Sequence, residues 1–583
     1  MKHQSLPFKS PAFLFSLLTV SLFAILVFSW VYGFALMDPM RVGWVSGEDP
    51  GVAFYGFNFF IADQWRVPPG AMSNFNGPIG TTLVFSDGYP LFALILKAIH
   101  TWVSPFTLPF QIVGLWMAFC FLAQGIASFM ILYRESRDLA FSWMGSVFFI
   151  LSPALVFRSI ESTRHYSLMG HFLVLVALGE WFAWARRREY RQWVWNTLLG
   201  VSLGIHFYLF CMVAFVYLIP TIEAALERRL AIKQWIHRQL TTGLMIGGLG
   251  VLYGYGGVPA GDAQGGGFGL FAMDLFAWLI SEGHALSQPF KSLNYLIQRE
   301  GFQYLGLGIL LGWGWIGYTY RSEIRKLADV FKRFPVPASV FSFLLLIALS
   351  RRLWICGSRL SIFVTLPLWF GIFYWLVRKV RPMGKGLAML WALILIVFYN
   401  GVGPLVRSSG RMGWVLTYAL IFGFLMIIHE RVRFSKRMIA VLLGVQIADL
   451  YPLHSYVREI HFGSRSAETS APLSEEVRAF FGENARKILL LTSNEYFQSP
   501  TLNAFALQKR IPIGPTYLSR HDHGARARLL EEWRKKVEEH RLSEGEFVFI
   551  GEEPAHRALI ESILLKTSGY RTLPWTGGVL VGI

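Results

Sequence analysis

The feature that most limits what this chain can fold into is a succession of long apolar segments, separated by short basic clusters or by brief polar loops. The first, from about Pro11 to Met37, follows the basic start MKHQSLPFKS. It exceeds the roughly 7 to 15 residues of a signal-peptide core and no small-residue cleavage pattern follows it, so it reads as a retained anchor. Of 583 residues, 54% are hydrophobic and only 15% charged, which departs from soluble globular composition toward that of a multi-span membrane protein. The net charge of +18 falls mostly between apolar spans, where basic residues set orientation. No RNP, zinc-finger or helix-turn-helix pattern accompanies it, and nucleic acid is not an expected partner. Cys120, Cys211 and Cys356 lie far apart in or beside apolar segments, a pattern that gives neither a disulfide framework nor a C-x-x-C site.

Taking Lys/Arg clusters as cytoplasmic markers yields about 13 transmembrane helices, with the N-terminus inside and the C-terminus outside. The path sets spans at about Leu108 to Tyr133, Leu139 to Phe157 and Leu168 to Ala185, with Phe92 to Val103 as a short re-entrant or interfacial helix. The apolar run Trp193 to Leu226 has basic flanks on both sides. That predicts a helical hairpin with its tip near His206 to Tyr208, against the competing reading of one long tilted span. Later spans fall at about Leu240 to Tyr255, Tyr304 to Tyr320, Pro337 to Leu349, Ser361 to Val377, Leu387 to Val402, Trp414 to Ile428 and Met438 to Leu450. From Tyr451 the composition turns charged and mixed. Residues 1–450 are therefore expected to form the membrane domain and 451–583 a small α/β domain in the periplasm, with strands at Lys487 to Leu491 and Glu546 to Ile550 and helices at Ala525 to Glu538 and Ala555 to Leu565.

The first outer loop, residues 38–91, gathers Glu48, Asp49, Asp63 and Asp87 among aromatics, glycines and prolines. Beyond the cytoplasm there is no free nucleotide pool, so a transferase there takes an activated group carried on a lipid. It needs a carboxylate to deprotonate an acceptor hydroxyl and donors that stabilise the departing phosphate. Asp49 or Glu48 suits the first role; the competing reading makes them a turn or helix cap before Pro50. Asp87, in FSDGYP, is a second-tier substrate-binding residue or a turn residue ahead of a helix. The topology also sets Arg158, Arg164, Arg351, Arg352, Arg359, Arg407 and Arg411 in short outer connections, against the positive-inside rule. Arginine's planar fork suits a lipid-linked phosphate, and the pair in RSSGR, Arg407 and Arg411, carries this expectation best, with Arg164 and Arg359 behind it. The bland reading pairs these arginines with Glu161, Asp274 or lipid headgroups. His165 and His171, six apart in RHYSLMGH, do not share a helical face. They are weak as a zinc site and serve as substrate hydrogen-bonding residues or as structural histidines, and His206 is read the same way. Gly254 to Gly269 lacks a G-K-[ST] and reads as a mobile gating loop rather than a nucleotide cradle.

Taken in order, GEDP, VFSDGYPLFALILK, HYSLMGH, FAMDLFAWLI, GFQYLGLGIL, RSSGRMGW and QIAD resemble an uncharacterised family of bacterial polytopic inner-membrane proteins grouped near the GT-C superfamily of glycosyltransferases. That resemblance implies a GT-C-like fold, a polyprenyl-phosphate-linked sugar donor and a catalytic acid in the first outer loop, at Asp49 or Glu48. The usual D-x-D spelling is absent, so a divalent metal is possible without being required. The expected function is transfer of a sugar from that donor to an extracytoplasmic glycan, lipid or protein. The alternatives are a flippase of lipid-linked saccharide and a structural component of an envelope assembly complex.

Overall fold

A computed structural model describes residues 10–160, 164–226, 231–256, 277–288, 301–322, 409–462, 475–494, 497–518, 522–565 and 569–583. Helix α1 (Pro11–Tyr32) opens with Pro11 at its first position and Ser10 Oγ accepting from Phe13 N at 3.2 Å, and it ends at Gly33. Leu14, Phe15, Leu18 and Leu22 on one face are more than half exposed, while Phe13, Val20, Ala24 and Phe28 on the other are buried. A helix apolar on both faces suits lipid on one side and protein on the other.

The first loop contains regular structure of its own. Residues Glu48–Ala62 form α2, capped by Gly47, with Pro50 in the first turn, where its missing N–H costs nothing. Strands β1 (Ala71–Met72) and β2 (Thr81–Thr82) pair antiparallel. Helix α3 (Pro90–Trp102) is 13 residues long, too short to span a bilayer alone. Lys97, on its buried face, donates to the Gln64 carbonyl at 3.0 Å and sits 4.0 Å from the Phe60 ring.

The bundle is built from α4 (Val113–Ser136), α5 (Leu139–Ile150), the short α6 (Pro153–Val156), α7 (Phe172–Arg187), α8 (Gln192–Ile205), α9 (Phe207–Leu226) and α10 (Ile232–Tyr253). It continues with α11 (Leu307–Thr319), α12 (Trp414–Arg431) and α13 (Ser435–Phe462). Seven segments among the described residues are long and apolar enough to cross a membrane. The expected spans at Pro337 to Leu349, Ser361 to Val377 and Leu387 to Val402 lie outside the described residues. The run from Trp193 to Leu226 is a hairpin whose turn is a single residue, His206, extended at φ −163° between α8 and α9.

One end of the bundle is basic. Arg187 on α7 meets Glu135 on α4 at 2.9 Å, Arg188 meets Glu223 on α9 at 3.8 Å, Arg191 pairs with Glu180, and Lys436 meets Asp138 at 2.8 Å. The opposite end carries the C-terminal domain. Between them, Asp449 on α13 accepts from Ser287 N, Tyr304 Oη and Leu307 N, each at 2.8 Å, and so caps α11 from a neighbouring helix. Gly306, at φ +90°, leaves room for the Gln446 amide, which a Cβ there would overlap. Gln303 donates to Gly410 O at 2.8 Å and Trp414 Nε1 to Phe302 O at 3.3 Å. The motifs GFQYLGLGIL, RSSGRMGW and QIAD therefore lock onto one another.

Helix α13 does not stop near Leu450, where the composition changes; it continues to Phe462. At 28 residues it is about 40 Å long, and its last turns reach the end of α1, where Arg458 bonds the Trp30 carbonyl and His461 meets Tyr32. In the C-terminal domain α14 (Glu475–Phe481), β3 (Lys487–Leu491), α15 (Pro500–Lys509), β4 (Ile513–Gly514), α16 (His523–Glu538), β5 (Glu546–Gly551), α17 (Arg557–Leu565), β6 (Arg571–Trp575) and β7 (Gly578–Gly582) follow. The sheet order is β4-β3-β5-β7-β6, with β4, β3 and β5 parallel and β7 antiparallel to both neighbours. Strand β3 is buried on both faces, as parallel strands between helices are: Leu489 and Leu491 face Trp533 and Leu529 of α16, while Ile488 and Leu490 join the larger core with Phe481 and Phe505. The first loop adds to this sheet. Phe75 bridges Ile513 in parallel, with Ile513 N donating to Asn74 O and Gly77 N to Ile513 O, both at 2.9 Å. Tyr55 Oη also donates to Pro500 O at 2.8 Å, so α2 and the domain form one body.

Candidate functional site

Chain direction brings six elements to the domain end: the C-terminus of α1, the first turn of α2, the entry to α3, the segment before α7, the α8–α9 turn and the 3₁₀ turn Ser409–Gly413 ahead of α12. Two carboxylate–imidazole pairs form there. Asp49 Oδ2 lies 3.7 Å from His165 Nε2, with the Asp49 side chain 41% exposed and His165 18%. Glu48 begins the same helix. The cap expected at Glu48 or Asp49 is not formed: Gly47 is the N-cap and no side chain caps the helix, while Asp49, in the first turn, is well placed for the helix dipole. Tyr166, next in the chain to His165, meets Trp44 edge-on at 5.4 Å; Tyr32 meets His461 at 5.1 Å, and Tyr32 Oη bonds Ser159 Oγ at 2.9 Å.

The second pair joins Asp87 Oδ1 to His206 Nε2, again at 3.7 Å, with His206 nearly buried. Asp87 has φ +53°, as turn-forming Asp tolerates, so its role as a turn residue ahead of α3 is borne by the backbone. Tyr208 N donates to His206 Nδ1 at 3.1 Å, which fixes the neutral imidazole as the Nε2–H tautomer. The Tyr208 ring stacks beside His206 at 5.6 Å and carries the Arg411 guanidinium 4.7 Å from its centroid. Arg411 is 5% exposed. The sequence puts the hairpin tip at His206 and reads that histidine as a substrate hydrogen-bonding residue or a structural one; its pairing with Asp87 is not legible there, because the two lie far apart in the chain.

The remaining candidates divide. His171 is fully buried, its Nδ1 2.6 Å from Tyr418 Oη and its ring 4.4 Å from Trp414. It packs α7 against α12 as a core histidine rather than presenting itself to a ligand. Arg164 is half-buried next to His165. Arg158 is fully buried against Trp414 at 5.2 Å. Arg359 and Arg407 lie outside the described residues, as does most of Gly254 to Gly269. Among the described residues, no three His, Cys, Asp or Glu side chains gather as a metal site.

Asp63, the fourth acid of the loop, holds the loop rather than the site. It accepts from Gln64 N at 2.8 Å, Ser73 N at 2.7 Å and Arg66 Nε at 3.1 Å. Burial works against its charge, yet the Arg66 fork and the two backbone N–H groups outweigh that and keep its carboxyl below the usual range.

The model of a domain of unknown function, DUF6311, matches residues 21–381 and 384–451. The chain belongs to the DUF6311 family. The DUF6311 match takes in Asp49, Asp87, His165, His206 and Arg411, and stops before the sheet domain. No curated protein matches the chain.

Proposed function

We propose that this DUF6311 protein is a membrane glycosyltransferase of GT-C type, taking its sugar from a polyprenyl-phosphate donor and working at the outer face of a bacterial inner membrane. The observation that carries the reading is that the solvent-reaching Asp49–His165 pair and the buried cation Arg411 stand at the same end of the bundle, the one bearing the C-terminal domain. Asp49 accepts the proton of the acceptor hydroxyl as that oxygen attacks the anomeric carbon. The bond from that carbon to the phosphate oxygen breaks, and Arg411, held on Tyr208, stabilises the charge left on the lipid phosphate. The α/β domain, joined to the loop at Phe75 and Ile513, positions the acceptor. The buried polar groups Asp449, Gln446, Gln303 and Thr417 bond to one another, to Tyr304 or to backbone, which favours a transferase over a polar path through the bilayer. The test compares lipid-linked saccharides and surface glycans in cells carrying wild type, Asp49→Asn or no gene. Loss of a glycan with build-up of its lipid-linked sugar in both altered strains supports the reading. Identical profiles in all three sink it.

A further inference from the structure

Resting on that reading, we propose that Asp87 is the residue that accepts hydrogen bonds from hydroxyls of the donor sugar, and that His206 is its positioning residue. Asp87 stands a quarter exposed at the domain end, and its backbone is set in a left-handed turn closed by Gly88 N donating to Leu83 O at 3.0 Å. A carboxylate on such a turn needs a fixed partner to keep one orientation. His206 supplies it: the Tyr208 N–H occupies Nδ1, so the only proton of the neutral ring sits on Nε2, the nitrogen facing Asp87.

This arrangement also removes a competing role. An imidazole whose Nδ1 accepts from backbone and whose Nε2–H faces a carboxylate has no lone pair left to act as a base, so His206 orients and does not abstract. Among the described residues, the titratable groups packed around this turn besides Asp87 include Tyr208 of α9, Tyr253 at the end of α10, Tyr255 just past it, and Arg411 beyond the Tyr208 ring. Tyr255 Oη donates to Leu203 O at 3.1 Å, holding the end of α8 one turn before His206. Carboxylate and guanidinium together form a set suited to a sugar and the phosphate attached to it, Asp87 for hydroxyls and Arg411 for phosphate, with the Tyr208 ring between them, stacked on His206 and carrying Arg411.

Two substitutions separate the two nitrogens of His206. Glutamine places an N–H donor near the position of Nε2, whereas asparagine places an acceptor near that of Nδ1. The full chain in nanodiscs is titrated with bare decaprenyl phosphate and with decaprenyl phosphate bearing glucose, galactose, mannose or arabinofuranose. At least one sugar-bearing lipid is expected to bind about tenfold tighter than the bare lipid, the worth of one hydrogen bond to a charged group. Asp87→Asn and His206→Asn bring that ratio to about one, and His206→Gln retains most of it, with thermal midpoints confirming that each variant is folded. A ratio near one for every sugar in wild type, or preservation by His206→Asn with loss in His206→Gln, overturns this assignment while leaving the lipid-phosphate reading standing. Failure of wild type to bind even bare decaprenyl phosphate overturns both.

Discussion

His165 Nε2 lies 3.7 Å from Asp49 Oδ2, joining the segment ahead of α7 to the first turn of α2. If Asp49 takes the acceptor's proton, Asp49→Asn lowers single-turnover transfer by about a hundredfold or more, with donor binding retained. His165→Asn, which removes the partner and not the base, gives a smaller loss. Equal losses in the two variants, or full activity in Asp49→Asn, contradict this division of roles.

Asp63 gives the loop a pH dependence whose sign is fixed. Its folded carboxyl is depressed by Arg66 and two backbone N–H groups acting against burial. The stability it contributes is therefore fully present above the unfolded value of about 3.9 and is lost as pH falls through the lower folded value. Asp63→Asn is expected to flatten acid unfolding below about pH 4. At neutral pH it costs about 1–3 kcal/mol, since Arg66 is partly exposed and its pairing screened. Hydrogen exchange of residues 63–73 across pH measures it, and an unchanged profile refutes it.

Asp449 and Gly306 hold α11 to α13. Asp449→Ala leaves Leu307 N, Ser287 N and the Tyr304 hydroxyl without their common acceptor, at a cost of about 3 kcal/mol or more. A marked fall in the thermal midpoint of the detergent-solubilised protein is expected. An unchanged midpoint shows that the network does not bear on stability.

What the sequence discloses follows from what is local. Apolar length and basic flanks reveal α1, α4, α5, α7 and the α8–α9 hairpin, because span length and charge placement are properties of contiguous residues. The strand Lys487–Leu491 and the helix His523–Glu538 are legible for the same reason. The extension of α13 past Tyr451 is not, because Pro452, Arg458 and Glu459 look like a loop, while the helix is held by partners distant in sequence: Arg458 donates to the Trp30 carbonyl at 3.1 Å. The Gly577 turn between β6 and β7 carries a hairpin signal that the expectation, ending at Leu565, omits. The candidate acids are visible in the sequence, but their pairing with His165 and His206 is not, since neither local pattern nor spacing encodes which loop meets which.

The joint between loop and domain gives a further prediction. A Cβ on Gly514 would come within 2.6 Å of the Gly77 carbonyl oxygen and 2.7 Å of the Asn76 carbonyl carbon, both backbone atoms. Gly514→Val therefore forces Phe75 away from Ile513. Limited proteolysis is expected to cut the segment 70–80 faster than in wild type, with the bundle's own thermal transition little changed. Equal cutting rates contradict the sheet extension.

On the proposed function, Arg411, held on the Tyr208 ring, receives the phosphate of a lipid-linked sugar. Native mass spectrometry of the protein extracted from its own membrane tests this most directly, comparing wild type with Arg411→Gln at matched thermal midpoints. Wild type is expected to carry a co-purifying polyprenyl-phosphate lipid that is largely lost from Arg411→Gln. Equal retention of such a lipid by both proteins, or none on either, contradicts it.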